Sequence, residues 1–296
     1  MILRKIITKA LYQLKKTGLV DRMDDEKYLK LLFRIRVGKA LNLEKPETFN
    51  EKMQWLKIHN RRPEYTMMVD KYAVKKYIAD VLGEQYVIPN IGVWDYFEDI
   101  DFEVLPNQFV MKCTHDSGGL IICKDKSTLN LKEVKEKIEH CMKRNYYYSS
   151  REWPYKNVKP RIIVEEYIEN NEEGLHDYKI WCFNGEPVYI QYITGRIGNE
   201  TYEGFYDSEW NLQNFYYHNP LMKESVKKPD CLDTLLSMAR KLAQKHPFMR
   251  CDFYVLEDGS IRFGEITFFP MSGMEKWNPK EMDEIFGGMI DTSYGK

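Results

Sequence analysis

Two dipeptides in the second half of the chain, Asn184-Gly185 and Asp258-Gly259, constrain the fold more than any other feature. Each stands between two runs rich in apolar and aromatic residues. Such dipeptides favour two-residue hairpin turns, because they tolerate the positive φ angles that these turns need. The predicted strands are residues 178–183 and 188–193 around the first turn, and residues 250–256 and 261–267 around the second. Antiparallel hairpins therefore dominate the second half of the chain.

Helical periodicity prevails in the first third of the chain, where apolar residues recur every three to four positions. Residues 1–60 are predicted to be mainly helical, with one helix beginning at Thr48 or Asn50, and residues 65–82 form another. Further along, we predict strands at 108–113, 120–123 and 161–168, and helices at 131–144 and 232–245. This order indicates an α+β fold without internal repeats.

Composition excludes several classes of protein. The chain has 296 residues and a net charge of −1, with 43% hydrophobic and 30% charged residues. It is therefore neither broadly disordered nor a globally basic nucleic-acid binder, and we expect no nucleic-acid partner. No apolar run reaches the length of a membrane span. Six cysteines without a CxxC pair argue against a zinc ribbon and favour the reducing cytoplasm.

The first 18 residues form a basic, amphipathic segment that has no signal-peptide character. Two interpretations are open: a helix packed on the protein, and a helix lying on the anionic inner face of a membrane. The first is the simpler one, because the segment is short and lacks Trp and Phe.

Acidic residues face each other across the second hairpin. Counting outward from a two-residue turn at Asp258-Gly259 places Asp252 opposite Glu265, and Arg250 opposite Thr267 on the same face. Opposed Cβ atoms lie about 4.5–5.5 Å apart, so the two carboxylates repel unless a cation lies between them. Mg²⁺ is the cation that such oxygen ligands favour. The alternative is a solvated face without a ligand.

A lysine stands at the end of an apolar strand and next to a glycine turn. Lys112 precedes the sequence Thr-His-Asp-Ser-Gly-Gly at 114–119. An ammonium beside exposed loop N–H groups suits phosphate binding, although a plain hairpin turn has the same composition. Further on, the strand at 161–168 carries Glu165 and Glu166, and Asp177 and Lys179 share one face of the next strand.

In this order, these segments resemble the ATP-grasp superfamily. PETFNEKMQWLK, VDKYAVKKYI, KCTHDSGG, DYKIWCFNGEP and FGEITFFPMSG are similar to its TupA-like group, over about residues 30–285. That group is associated with bacterial surface-polysaccharide biosynthesis, in the capsule or cell wall. The resemblance implies two α+β subdomains that grip ATP, at residues 65–164 and 165–296, preceded by a helical N-terminal region at 1–64.

The resemblance also implies roles for individual residues. The ATP phosphates would be bound by Lys71, Lys112, His115, Ser117, Gly118 and Gly119, although a lone His in a turn, such as His115, is more often a hydrogen-bonding loop residue. Adenine would lie at the hinge formed by Glu165, Glu166, Tyr167 and Ile168, and the ribose and phosphates near Asp177 and Lys179. The metal ligands would be Asp252, Glu265 and Thr267, where Thr267 replaces the usual Asn. Arg250, Lys112 and Lys179 would be catalytic.

The implied reaction is Mg²⁺- and ATP-dependent ligation of a carboxylate to an amine through an acyl phosphate. Its expected product is a surface-polysaccharide precursor modified with an amino acid or amine. A uronic-acid glycan is the expected acceptor, because aromatic and basic residues cluster at 144–156, although an aromatic-rich packed loop explains them as well. Sugar transfer and a non-catalytic ATP-binding scaffold are the alternative functions.

Overall fold

The computed structural model describes residues 18–168, 175–195 and 201–295. The amphipathic segment expected at the N-terminus lies almost entirely outside these residues. Within them, the strands are β1 (Asn90–Trp94), β2 (Phe109–Cys113), β3 (Leu120–Cys123), β4 (Ile162–Glu166), β5 (His176–Phe183), β6 (Glu186–Thr194), β7 (Tyr202–Tyr206), β8 (Phe248–Val255) and β9 (Ile261–Thr267). The α-helices are α1 (Asp25–Arg36), α2 (Phe49–His59), α3 (Glu64–Val69), α4 (Ala73–Val81), α5 (Leu131–Met142), α6 (Tyr147–Ser150), α7 (Leu232–Ala243) and α8 (Met282–Gly288).

The described strands form two antiparallel sheets, as the hairpin pattern predicts. The first has the order β1-β4-β2-β3 and the second the order β7-β6-β5-β8-β9. Helix α5 buries Val134, Ile138 and Cys141 against the first sheet. The α+β class is thus confirmed, and no helix in the described part of the chain is long and apolar enough to cross a bilayer.

The larger core belongs to the second sheet, and helices from the first part of the chain contribute to it. Trp181 on β5 is fully buried and contacts the rings of Phe49, Phe248 and Phe286. Residues of α2, α3 and α4 share this apolar cluster with α7. Packing therefore does not follow chain order, and the three-part division at residues 64 and 164 stays a prediction.

The predicted helix at 65–82 is wrong in one respect, because it breaks at Asp70. The Asp70 carboxylate accepts hydrogen bonds from the backbone N–H groups of Tyr72 and Ala73, at 2.9 and 3.2 Å, and so caps α4. The break sets Lys71 between α3 and α4, where its N–H donates to the Thr114 carbonyl. The predicted cap of α2 is confirmed at Thr48, which forms a capping box with Glu51.

One hairpin matches its predicted turn and the other does not. Asn184 and Gly185 have φ angles of 49° and 83°, as the two-residue turn requires. At the second hairpin, Val255 pairs with Ile261 and the Leu256 N–H donates to the Ser260 carbonyl. The two-residue turn is therefore wrong: three residues lie between Leu256 and Ser260, and the last, Gly259, has a φ of +79°.

A bulge in β8 and β9 compensates for this longer turn. The register shifts by one residue between Asp252 and Phe253, and Gly264 is the extra residue. Beyond the bulge, Asp252 pairs with Glu265 and Arg250 with Thr267, as the sequence predicts. The two acidic residues consequently face each other at the cleft end of the hairpin.

Candidate active site

A cavity of about 260 Å³ is lined by residues of both sheets. The α3–α4 junction contributes Lys71 and Lys75, and the glycine loop at 114–119 contributes Asp116, Ser117 and Gly119. The remaining lining comes from Val74 on α4, from the segment before β1 and from the strands. The residues of the last two groups are Val87, Ile88, Lys112, Cys113, Leu120, Glu165, Asp177, Lys179, Asp252, Tyr254, Phe263, Gly264 and Glu265. Cationic and anionic side chains are interleaved around this space.

Glu165 is buried between two lysines on one wall of the cavity. Only 4% of the residue is exposed, and its carboxylate binds both Lys112 and Lys75, the latter at 2.5 Å. Lys75 also donates to the Ile88 carbonyl. Burial raises the pKa of Glu165, but the two ammonium groups outweigh it and hold the pKa below its ordinary value. Burial lowers the pKa of Lys75, against the opposing charge of Glu165.

A second charged cluster spans β5 and β8. Lys179 pairs across the strands with Asp252, and its ammonium contacts both Asp252 and, at 2.9 Å, Asp177. Arg250 donates two hydrogen bonds to Asp252, at 2.7 and 2.8 Å. Burial raises the pKa of Asp252, yet Arg250 and Lys179 hold it below its ordinary value. Asp252 is therefore a carboxylate at neutral pH, and the two cations orient it.

Glu265 is the more accessible member of the acidic pair. Its side chain is 42% exposed, and its cationic neighbours are more distant: Arg250 at 3.5 Å and Lys71 at 3.8 Å. The Thr267 hydroxyl lies 3.3 Å from Glu265 and accepts from Arg250 at 3.2 Å. Glu265 can therefore accept a further cation without losing a close ion pair.

An ion pair between Arg144 and Asp116 anchors the glycine loop to the segment that follows α5. Arg144 donates to both oxygens of Asp116, at 2.6 and 2.8 Å, and the Ser117 N–H donates to the same carboxylate. His115 is 2% exposed, and its Nε2 lies 3.1 Å from the carbonyls of Cys141 and Arg144. Burial lowers the pKa of His115, so its ring is neutral at neutral pH. This geometry makes His115 a support of the loop.

The structure brings together most of the residues predicted from the sequence. Those lining the cavity are Lys71, Lys112, Ser117, Gly119, Glu165, Asp177, Lys179, Asp252 and Glu265. Arg250 and Thr267 do not line the cavity, but they form hydrogen bonds with Asp252 and Glu265, respectively. Within the described part of the chain, His115, Gly118, Glu166, Tyr167 and Ile168 lie outside the lining. Their predicted nucleotide contacts stay predictions.

Sequence reasoning missed Lys75 and Asp116. Lys75 follows Lys71 by four positions in a segment predicted as one helix, a spacing that puts both side chains on one face. Asp116 lies inside the glycine loop that was singled out for phosphate binding. Tyr254 and Phe263 were also missed, because aromatic residues in strands are usually core residues.

Several solved structures have a similar fold at low sequence identity. They include an L-amino acid ligase from Bacillus licheniformis (13% identity, TM-score 0.43, 73% of this chain and 47% of that one). Another is a D-alanine–D-alanine ligase from Bacillus anthracis complexed with ATP (20% identity, TM-score 0.42, 76% of this chain and 62% of that one). A third is the ATP-grasp ligase PsnB complexed with a minimal precursor, Mg and ADP (10% identity, TM-score 0.37, 74% of this chain and 57% of that one). The chain thus spans about half to three-fifths of the length of these structures.

A comparison with curated proteins finds no match. A family model, in contrast, matches residues 51–291, which include every residue that lines the cavity. The chain therefore belongs to the TupA-like ATP-grasp family.

Proposed function

We propose that this protein is an ATP- and Mg²⁺-dependent ligase that joins a carboxylate to an amine. The observation that carries the proposal is the arrangement of Lys71, Lys75, Lys112 and Lys179 around a cavity that also presents Asp252 and Glu265. Lysine ammonium groups balance the charge of a polyphosphate, and the acidic pair suits a divalent cation. Membership of the ATP-grasp family supports the same assignment.

The acidic pair meets the requirements of Mg²⁺, which is usually bound by one or two carboxylates together with substrate phosphates. No group of three or more metal-binding side chains occurs among the described residues, so the protein alone does not complete a coordination shell. Asp252 and Glu265 would hold the ion, and Thr267 would approach it. When bound, Mg²⁺ would neutralise charge on the phosphate oxygens.

The proposed reaction has two steps. A substrate carboxylate attacks the γ-phosphorus of ATP and releases ADP, which leaves an acyl phosphate. The amine then attacks the acyl carbon, phosphate leaves, and the amine nitrogen loses a proton. Lys71, Lys112 and Lys179 would bind the phosphates, and Arg250 would stabilise the negative oxygen at the reacting centre.

Lys75 and Glu165 would prepare Lys112 for this task. The buried carboxylate holds both ammonium groups at the cavity wall, and so it limits their freedom before ATP binds. Glu165, Glu166, Tyr167 and Ile168 would form the adenine site, as the resemblance implies. Asp177 would lie near the ribose, and Ser117, Gly118 and Gly119 would cover the phosphates.

For the substrates, we propose a bacterial surface-polysaccharide precursor, with a uronic acid as the glycan unit, and an amino acid or amine. The association of the TupA-like group with surface polysaccharides supports this part. The reaction would take place in the cytoplasm, where ATP is available.

The test is ATP turnover with a panel of acids and amines. Purified protein is mixed with MgATP, hydroxylamine and, in turn, L-glutamate, D-alanine or D-glucuronate, and ADP and hydroxamate are measured. We expect one acid to stimulate both products, and we expect Asp252→Asn and Glu265→Gln to lower the rate at least 100-fold.

The matched control is Glu186→Gln, since Glu186 is an exposed carboxylate paired with Arg240 outside the cavity. It should retain the wild-type rate. If MgATP binds and no acid stimulates ADP formation, the result contradicts ligation of these three acids. A parallel reaction contains a sugar nucleotide in place of ATP, and its consumption there would favour sugar transfer instead.

A further inference from the structure

The segment that carries Lys71 is tied to the glycine loop through the backbone. The Lys71 N–H donates to the Thr114 carbonyl at 3.1 Å, and Thr114 is the first residue of the loop at 114–119. The Thr114 N–H donates in turn to the Arg161 carbonyl at 2.9 Å, just before β4 begins at Ile162. Three segments that are distant in sequence therefore meet at Thr114, and the first two contribute to the cavity.

Side chains close the same junction. Asp70 Oδ1 caps α4, whereas Asp70 Oδ2 accepts a hydrogen bond from Arg161 Nη2 at 2.7 Å. Thr114 Oγ1 accepts from the Arg161 N–H at 3.2 Å and donates to the Lys159 carbonyl at 3.1 Å. The Arg161 guanidinium also lies over the Tyr72 ring, 4.6 Å from its centroid. Asp70 is 5% and Thr114 0% exposed, so solvent does not compete for these bonds.

The negative charge of Asp70 is not explained by the helix cap alone. A cap needs one oxygen acceptor, and asparagine serves as well as aspartate at such a position. Asp70 pairs with Arg161, although Lys71 is its neighbour in sequence, and the ammonium of Lys71 lies instead 3.8 Å from Glu265. Asp70 thus fixes the backbone on which Lys71 stands without neutralising the Lys71 ammonium.

We propose that Asp70, Thr114 and Arg161 are positioning residues that hold Lys71 against the glycine loop, so that both reach the same phosphate groups. The proposal rests on the proposed function for the identity of that ligand. A lysine ammonium is a point charge on a flexible stem, so its backbone must be held if the charge is to lie at a defined place. Groups that are ordered before the ligand arrives bind it at a lower cost in entropy.

The first test uses the sign of a charge effect. Asp70→Asn retains a capping side chain and removes the charge that holds Arg161. Loss of a negative charge near an anion site strengthens polyanion binding by electrostatics alone, whereas loss of positioning weakens it. By titration calorimetry with sodium triphosphate and no divalent cation, we expect the Kd of Asp70→Asn to be about tenfold above that of the wild type. An unchanged or lower Kd would overturn the proposal.

The matched control is Asp80→Asn. Asp80 lies on α4 as an exposed partner of Lys76 and outside the cavity lining, so this variant removes the same charge without touching the junction. Its Kd for triphosphate should stay within about twofold of the wild-type value. If Asp70→Asn fails to fold, Arg161→Lys takes its place, because it keeps the cation and the cap of α4. We expect the same weakening there, and wild-type affinity would count against the proposal.

A double-mutant cycle asks whether Asp70 acts through Lys71. Lys71→Met removes the ammonium, so a residue that only places this ammonium has nothing left to place. We therefore expect Asp70→Asn to change the Kd for triphosphate by less than about twofold in the Lys71→Met background. The same tenfold loss in both backgrounds would overturn a role that acts through Lys71.

The last measurement needs no ligand. The N–H groups of Lys71 and Thr114 form the backbone bonds of the junction, and we expect their hydrogen exchange to accelerate about tenfold in Asp70→Asn but not in Asp80→Asn. Exchange at the wild-type rate would overturn the positioning role. The two proposals fail in different ways: a wild type that binds neither triphosphate nor MgATP contradicts the proposed function, and the exchange rates still decide whether the junction holds Lys71.

Discussion

Gly118 and Gly119 are adjacent in the glycine loop, but the structure predicts opposite responses to alanine. A Cβ atom at Gly119 would lie 2.6 Å from Cys113 Sγ and 3.0 Å from the Cβ atoms of both Cys113 and Cys141. At Gly118, the nearest atom would be Arg144 Nη2 at 3.5 Å, which is an ordinary contact. Neither glycine has a positive φ, so the difference is one of space alone.

The magnitude follows from two opposing effects. Overpacking of a core costs about 1–3 kcal/mol, and three short contacts, two of them to Cβ atoms near the backbone, place Gly119→Ala in the upper half of that range. Alanine also restricts the unfolded chain, which stabilises the protein by about 0.4–1 kcal/mol. We expect Gly119→Ala to lose about 2 kcal/mol of unfolding free energy, and Gly118→Ala to lose none.

The assay is thermal unfolding followed by calorimetry. A loss of about 2 kcal/mol lowers Tm by roughly 3 °C in a chain of 296 residues, because the entropy of unfolding is about 2.1 cal/mol/K per residue. Cys113→Ala removes the closest of the three atoms, so the Gly119→Ala and Cys113→Ala variants should couple by about 1 kcal/mol in a double-mutant cycle. Equal Tm values for the two glycine variants, or no coupling to Cys113, would refute this reasoning.

Two further predictions concern charge. Glu165→Gln leaves Lys75 and Lys112 without their shared anion, so it should lower stability by about 3 kcal/mol, and sodium triphosphate without a divalent cation should raise Tm more in the variant than in the wild type. Equal Tm shifts would contradict this. His246 is buried beside Tyr65, and burial lowers its pKa to about 4. Because the unfolded state takes up this proton first, the free energy of unfolding should fall by about 3 kcal/mol as pH decreases from about 6.5 to 4. Denaturant titrations at several pH values should show that the free energy of unfolding of His246→Asn depends less steeply on pH than that of the wild type.

Much of the candidate site could be predicted, because its residues lie on strands. Side chains alternate with a period of two, so Asp252 and Arg250, or Asp177 and Lys179, had to share a face. These residues also stand out in the sequence because they are charged and lie within apolar strands. A charged side chain that is buried in such a strand needs a partner of opposite charge. Lys112 is such a residue, and its partner Glu165 lies diagonally across from it on β4.

Residues whose placement depends on packing between distant segments could not be predicted in this way. Lys71 lies in the break between α3 and α4 because Asp70 interrupts the predicted helix, and nothing in the local periodicity marks that break. Lys57 is buried where its ammonium donates to the carbonyl groups of Ser150 and Ser272, which lie 93 and 215 residues further along the chain, so it looks like an isolated polar residue in the sequence. Strand β1, at the edge of the first sheet, has no fully buried residue and lacks the apolar alternation that identifies a strand.

The pairing of Asp252 with Glu265 was predicted from a turn that turned out to be one residue too short. The predicted pairing is nevertheless correct, because Gly264 forms a bulge that shifts the register back by one residue. A Cβ atom there would lie 3.1 Å from the Asp252 carbonyl, so the close approach of the two backbones is easiest with glycine. A glycine inside a predicted strand is itself a signal for a bulge. The turn and the bulge must therefore be counted together, since either one alone would move Glu265 to the opposite face of the sheet.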